Sequence, residues 1–195
     1  MFELPSSLTI QGKEYPIRNR GDYRVILDCF VALNDAELDE YCRVITCLII
    51  FYEDINSIED IETNFTDGTI TEAVDKMYTF FNCGQTSVGA STQHNVVDWC
   101  KDSHMIASAI NNVCGKEIRA VEYCHWWTFM GYYLAIGDCA FSTVIGIRHK
   151  LKTHKKLEKY EKEFKQQNPE LFIWDDASVE QKEAEDLLRA LWNKK

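Results

Sequence analysis

Five residues over positions 94–104 could serve metal or acid–base chemistry: His94, Asp98, Cys100, Asp102 and His104. Asp98 and Asp102 are spaced i,i+4, and so are Cys100 and His104. On a helix each pair shares a face, but the two faces differ. Two ligands are at most half of the shell a structural zinc requires. No linear spacing selects His125 as a third ligand beside Asp98 and Asp102. Cys100 with His104 is the one thiol–imidazole pair able to meet on a helix, because the adjacent Cys124 and His125 point to different faces. Neither pair has a neighbouring motif that would hold an oxyanion. Glu117, Glu122 and Asp138 suggest an acid/base pair, but paired carboxylates need an enclosing cleft to separate their pKa values. They read as solvated groups near helix ends. P-loop, GxGxxG, HExxH and GxSxG motifs are absent, and Gly84 and Gly89 have no neighbouring lysine to complete a phosphate cradle. The expectation is a non-enzyme with no catalytic residue, no metal and no cofactor.

The elements that would position such residues are helical. A hydrophobic share of 46% across 195 residues is enough for a sizeable core. Charge is unevenly spread. Residues 1–147 hold 9 Lys+Arg and 21 Asp+Glu, a net of −12, whereas residues 148–195 hold 12 and 10, a net of +2. An acidic body is a poor platform for phosphate backbones, so nucleic acid is not the expected partner. The start, Met1-Phe2-Glu3-Leu4-Pro5, has no basic region followed by an apolar core, which argues against a signal peptide. The eight cysteines include no CxxC pair, and reduced thiols on apolar helix patterns are expected. No apolar run reaches the ~18 residues of a membrane span.

Residues 7–18 read as a β-hairpin turning at Gln11-Gly12-Lys13, with Pro16 marking an edge strand. Asp22 is placed to cap a helix with Val25, Ile26, Cys29, Phe30 and Leu33 on one face. A central helix is expected over 36–52, a short acidic linker from Ile55, and a third helix from Thr69 or Thr71. The Gly/Ser/Thr/Gln-rich segment 82–94 reads as a loop. Further helices are expected over 96–112, 120–134 and 141–152, the last continuing as a charged helix to Gln167 before Pro169. A final helix carries Ala184, Leu187, Leu188, Leu191 and Trp192.

The stretch 123–164, YCHWWTFMGYYLAIGDCAFSTVIGIRHKLKTHKKLEKYEKEF, passes from an aromatic to a lysine-rich helix pattern. The aromatic part fits a buried bundle helix, or one whose Trp and Tyr excess anchors a partner. From 148 to 165 there are eight Lys+Arg and three Glu, with Glu158–Lys162 and Glu161–Lys165 in the favourable i,i+4 order. That part fits a solvated helix, or an arm engaging an acidic protein or a second copy of this acidic chain. Candidate protein-binding residues are Arg148, Lys152, Lys155, Lys156, Lys159, Tyr160 and Phe164, together with Trp126 and Trp127.

This stretch, with HWW at its head, resembles a family of small tailed-phage proteins encoded immediately before the tape-measure protein. GKEYPI at 12–17 with DYRV at 22–25 resembles the family's opening hairpin and first helix, and DWCKDSHMIASAI at 98–110 its pattern before the HWW helix. The likeness spans most of 9–165. The cysteine richness and the 171–192 extension depart from the family pattern. The resemblance implies a non-catalytic tail-assembly chaperone in the host cytoplasm. It would bind the tape-measure protein and tail-tube subunits, with self-association credible and no nucleic acid or membrane involved. His125, Trp126 and Trp127 carry over as family-marker positions. Two other readings stay open: a structural minor tail component retained in the virion, and a small host-directed phage protein or thiol- or metal-dependent enzyme. The expected architecture is mostly α: a helical bundle with a small N-terminal β-hairpin and a charged C-terminal helical arm. The acidic body is expected over 1–147, and the arm with its C-terminal helix over 148–195.

Overall fold

Gln11 and Gly12 both take positive φ, +47° and +82°. Two such residues make the tight turn whose twist matches paired strands. They join β1 (Ser7–Ile10) to β2 (Lys13–Pro16), with Ile10 opposite Lys13 and Ser7 opposite Pro16. The structure, a computed structural model, describes residues 3–65, 68–85 and 96–173. Among these, eight α-helices follow the hairpin: α1 (Tyr23–Leu33), α2 (Glu40–Phe51), α3 (Ile58–Asn64), α4 (Thr69–Phe81), α5 (Ser103–Cys114), α6 (Trp126–Leu134), α7 (Ala140–Lys152) and α8 (Lys159–Gln167). The mostly helical bundle with an N-terminal hairpin and a charged C-terminal region is as expected. The helix expected at 178–192 and most of the 82–94 loop lie outside the described residues.

The described residues fall into two compact units. The first holds the hairpin, α1 to α4 and the 122–131 stretch. Its centre is α2, which buries Val44, Ile45, Cys47, Leu48 and Phe51 against α1, α3 and α4. Asp22 caps α1 as expected, its carboxylate accepting the Arg24 N–H at 3.0 Å. A two-stranded hairpin is marginal alone. Here it buries Ile10, Tyr15 and Ile17, and Arg18 ties it to the end of α2. The Arg18 guanidinium donates to the carbonyls of Ile49, Ile50, Tyr52 and Ile55 at 3.0–3.1 Å. The last carbonyls of a helix lack intrahelical partners, and a cation suits that end.

The second unit holds, among the described residues, 96–121 and 132–173. Ile106, Ala107 and Ile110 of α5, and Phe141, Val144 and Ile147 of α7, are buried, and these two helices pack together.

Several boundaries differ from expectation for local reasons. The central helix starts at Glu40, because Asp39 caps it by accepting the Cys42 N–H at 2.8 Å. The acidic linker contains α3, whose Asp60 N–H is taken by the Ser57 hydroxyl at 3.1 Å. Residues 96–102 are not helical. There Asp98 accepts the N–H groups of Cys100 and Lys101, while Asp102 accepts that of Asp98, and such side-chain bonds compete with a helix. The helix expected over 120–134 begins only at Trp126. The charged helix breaks into α7 and α8: His154 takes φ +53° and the Lys155 N–H returns to the Lys150 carbonyl at 2.8 Å.

Candidate protein-binding surface

The two tryptophans meet the end of α4. Trp126 Nε1–H donates to the Phe81 carbonyl and Trp127 Nε1–H to the Phe80 carbonyl, both at 2.9 Å. Consecutive indoles thus answer consecutive terminal carbonyls. Trp126 is 1% exposed, edge-on to Phe30 and stacked on Phe129, which lies 4.4 Å from the parallel ring of Tyr23. Trp127 is half-buried.

His125 completes the clamp. Its backbone pairs with Asp22. Its Nε2 lies 3.1 Å from the Pro5 carbonyl, and its Nδ1 accepts the Trp127 N–H at 3.0 Å. Nε2 therefore carries the proton in the neutral ring. Burial holds its pKa below the usual imidazole value, although the Pro5 bond and nearby Asp22 pull the other way. Gly21, at φ +77°, makes room: a Cβ there would lie 2.7 Å from Phe80 Cζ and 3.2 Å from His125 Nε2. The HWW motif is therefore architectural, and its donors and acceptors are committed within the fold.

Arg148 also faces inward. It is 4% exposed and Asp102 1%. The pair is bidentate, Nη1 to Oδ2 at 2.5 Å and Nη2 to Oδ1 at 2.9 Å. The remaining guanidinium donors reach the Val96 and Leu171 carbonyls at 2.7–3.0 Å. A buried pair tolerates desolvation only when its other donors are satisfied in this way. Arg148 ties three separated stretches of its unit together. A signal for this exists in the sequence: Phe141, Val144 and Arg148 recur on one helical stripe.

The lysines beyond it are different. Lys155, Lys156, Lys159 and Lys162 are exposed, and Tyr160 is 61% exposed among them. Among the described residues the ammonium groups of Lys155, Lys156 and Lys162 have no carboxylate partner. Among the described residues Lys159 has only Glu163, at 3.9 Å, with its own side chain 92% exposed. Glu161 instead turns inward, pairing with Lys150 at 2.7 Å and accepting the Glu158 N–H. Those two contacts, Lys150 first, hold its carboxyl below the usual range. Lys152 and Phe164 are half-buried, Phe164 lying edge-on to Phe172. The candidates therefore sort into an exposed group of Lys155, Lys156, Lys159 and Tyr160, and a group engaged in the fold, led by Arg148 and Trp126.

The residues considered for chemistry are dispersed. Cys100 and His104 are exposed, Cys100 on the turn before α5 and His104 on α5. Asp102 is taken by Arg148. Arg119 hydrogen bonds hold Glu117 at about 2, the opposite of a general acid's requirement. Among the described residues no group of three or more His, Cys, Asp or Glu is placed to hold a metal ion. No described helix is long and apolar enough to cross a membrane.

Neither the curated proteins nor the solved structures provide a match to the chain. A family model described as Bacteriophage Gp15 protein matches residues 1–172. The match takes in the hairpin, the HWW clamp, the Arg148–Asp102 pair and the exposed lysines, and the chain belongs to this family of small tailed-phage proteins linked to tail-assembly chaperones.

Proposed function

We propose that this chain is a non-catalytic tail-assembly chaperone that binds the tape-measure protein during tail morphogenesis in the host cytoplasm. The family match over 1–172 carries the reading. The surface gives it a physical form. Lys155, Lys156 and Lys159 around Tyr160 present positive charge and one aromatic ring to a partner, a combination suited to an acidic helical stretch of the tape-measure protein. Arg148, Lys152, Phe164, Trp126 and Trp127 support binding from within the fold, by holding their units in shape. Tail-tube subunits are the second partner in this reading.

Co-expression with a tape-measure fragment followed by size exclusion tests the function. Co-elution is expected, and it weakens when Lys155, Lys156 and Lys159 are changed to Glu. Separate elution under assembly conditions overturns the reading. Stoichiometric retention of the chain in purified particles, read by mass spectrometry, would make it a tail component instead.

A further inference from the structure

Three sulfur-bearing side chains meet at the centre of the first unit, one from each of three helices: Cys29 of α1, Cys47 of α2 and Met77 of α4. All three are fully buried, at 0% exposure. The Cys47 thiol donates to the Met77 thioether at 3.6 Å, and the Cys29 thiol donates to the Cys47 carbonyl at 3.8 Å. Cys29 also lies within hydrogen-bond reach of the Cys47 thiol. Burial first, and then the Cys29 contact, push the Cys47 thiol well above its ordinary value. A bare thiolate is therefore suppressed, and these cysteines are poor nucleophiles. A bond to a metal ion that takes the proton's place is a different matter, because it leaves no free negative charge in the core.

The ligand types select the ion. Zinc takes nitrogen, oxygen and thiolate ligands in a closed set of four, and among the described residues no group of three or more His, Cys, Asp or Glu offers it one. Thiolate and thioether sulfur together favour a soft monovalent ion of the copper(I) class. One such ion and one thiolate sum to zero charge, whereas an unpaired charge in this core is costly. The spacing fits as well. Sulfurs bound at ~2.3 Å around one ion in a plane stand ~4.0 Å apart, so Cys47 and Met77 need to separate by only ~0.4 Å. We propose that Cys29, Cys47 and Met77 form a buried soft-metal site that takes one copper(I) or silver(I) ion and ties α1, α2 and α4 together. In loading, one thiol S–H bond breaks, one sulfur–metal bond forms and the proton leaves to solvent, with no change of oxidation state. The sulfurs are reached only when the unit opens locally, so loading is slow. No residue of the Lys155–Tyr160 surface takes part, so this site stands or falls apart from the tape-measure reading.

Copper(I) itself is the probe, added anaerobically with ascorbate to the full chain and then challenged with bicinchoninate, which withdraws weakly held ions. The wild-type chain should keep one ion, with sulfur-to-copper charge-transfer absorption in the near ultraviolet. Cys29→Ala and Cys47→Ala should each lower the affinity about 100-fold or more, and Met77→Leu about 10-fold. Leu conserves the volume of Met and so keeps the fold, and far-UV circular dichroism verifies folding for all three variants. Cys100→Ala, which removes an exposed thiol, should change nothing. A wild-type chain that yields all its copper to bicinchoninate overturns the proposal. So does a folded Met77→Leu variant that holds copper as tightly as the wild type. Loss of retention in Cys100→Ala also overturns it, by placing the ion at the surface.

Discussion

The aromatic clamp and the basic segment are neighbours in sequence and opposites in use. Trp126 and Trp127 are the residue type most associated with binding hot spots, yet their indole N–H groups are consumed by α4 carbonyls. Lys155 and Lys156, a residue type depleted at interface cores, are exposed and without a carboxylate partner among the described residues. Residue type alone therefore ranks the candidates in the wrong order. What decides is whether the polar atoms of a side chain are already spent.

That contrast can be broken by experiment. The largest effect is expected inside the second unit. Arg148→Ala strands the Asp102 carboxylate and should cost about 3–5 kcal/mol, measured by chemical denaturation. The double variant Arg148→Met/Asp102→Leu should recover most of that loss, since apolar replacement of both partners is often neutral. A small loss for the single variant would return Arg148 to the exposed group. Next, Trp126→Phe keeps a ring but orphans the Phe81 carbonyl, at about 1–3 kcal/mol. An unchanged midpoint would show that the clamp is not structural.

A pH series gives a smaller effect. The folded pKa of His125 lies below its ordinary value of 6.5, so the unfolded chain binds the extra proton. Its contribution to stability is whole above that value and is lost as pH falls through 6.5 toward the folded pKa. The melting temperature should fall across that window, and the fall should flatten in His125→Asn. An equally steep fall in the variant would assign the effect to other groups. The smallest effect belongs to the lysines: Lys155→Glu/Lys156→Glu should shift unfolding by about 0.5 kcal/mol or less while weakening partner capture. A large stability loss would mean that these side chains support the fold.

Much of the architecture was legible because local signals agreed. Asp22 ahead of Val25, Ile26 and Cys29 marked a cap and a stripe together, and α1 begins there. The hairpin turn carried Gly12 where φ must be positive. Failures came where side chains compete with the backbone. Asp98 and Asp102 at i,i+4 looked helical, but their carboxylates take the N–H groups of Asp98, Cys100 and Lys101 and keep that stretch out of α5. Helix α3 spans only seven residues with Ile61 its one buried side chain, too little apolar period to stand out from a linker. Glu161 promised an i,i+4 pair with Lys165, but instead bridges back to Lys150 eleven positions earlier, a contact no linear spacing encodes. The site was legible as a segment, whereas the inward turn of Arg148 depends on where Asp102 and Leu171 arrive in space.

Arg18 sets how the first unit opens. Its guanidinium spans carbonyls from Ile49 to Ile55, while the Glu53 N–H bonds the Pro16 carbonyl at 3.0 Å. The hairpin cannot lift away without uncovering the end of α2. In hydrogen–deuterium exchange, amides of β2 and of the last turn of α2 should therefore exchange together, with one opening free energy, as a single cooperative unit. The N-terminal strands would then act as a latch on the central helix whose release exposes both at once.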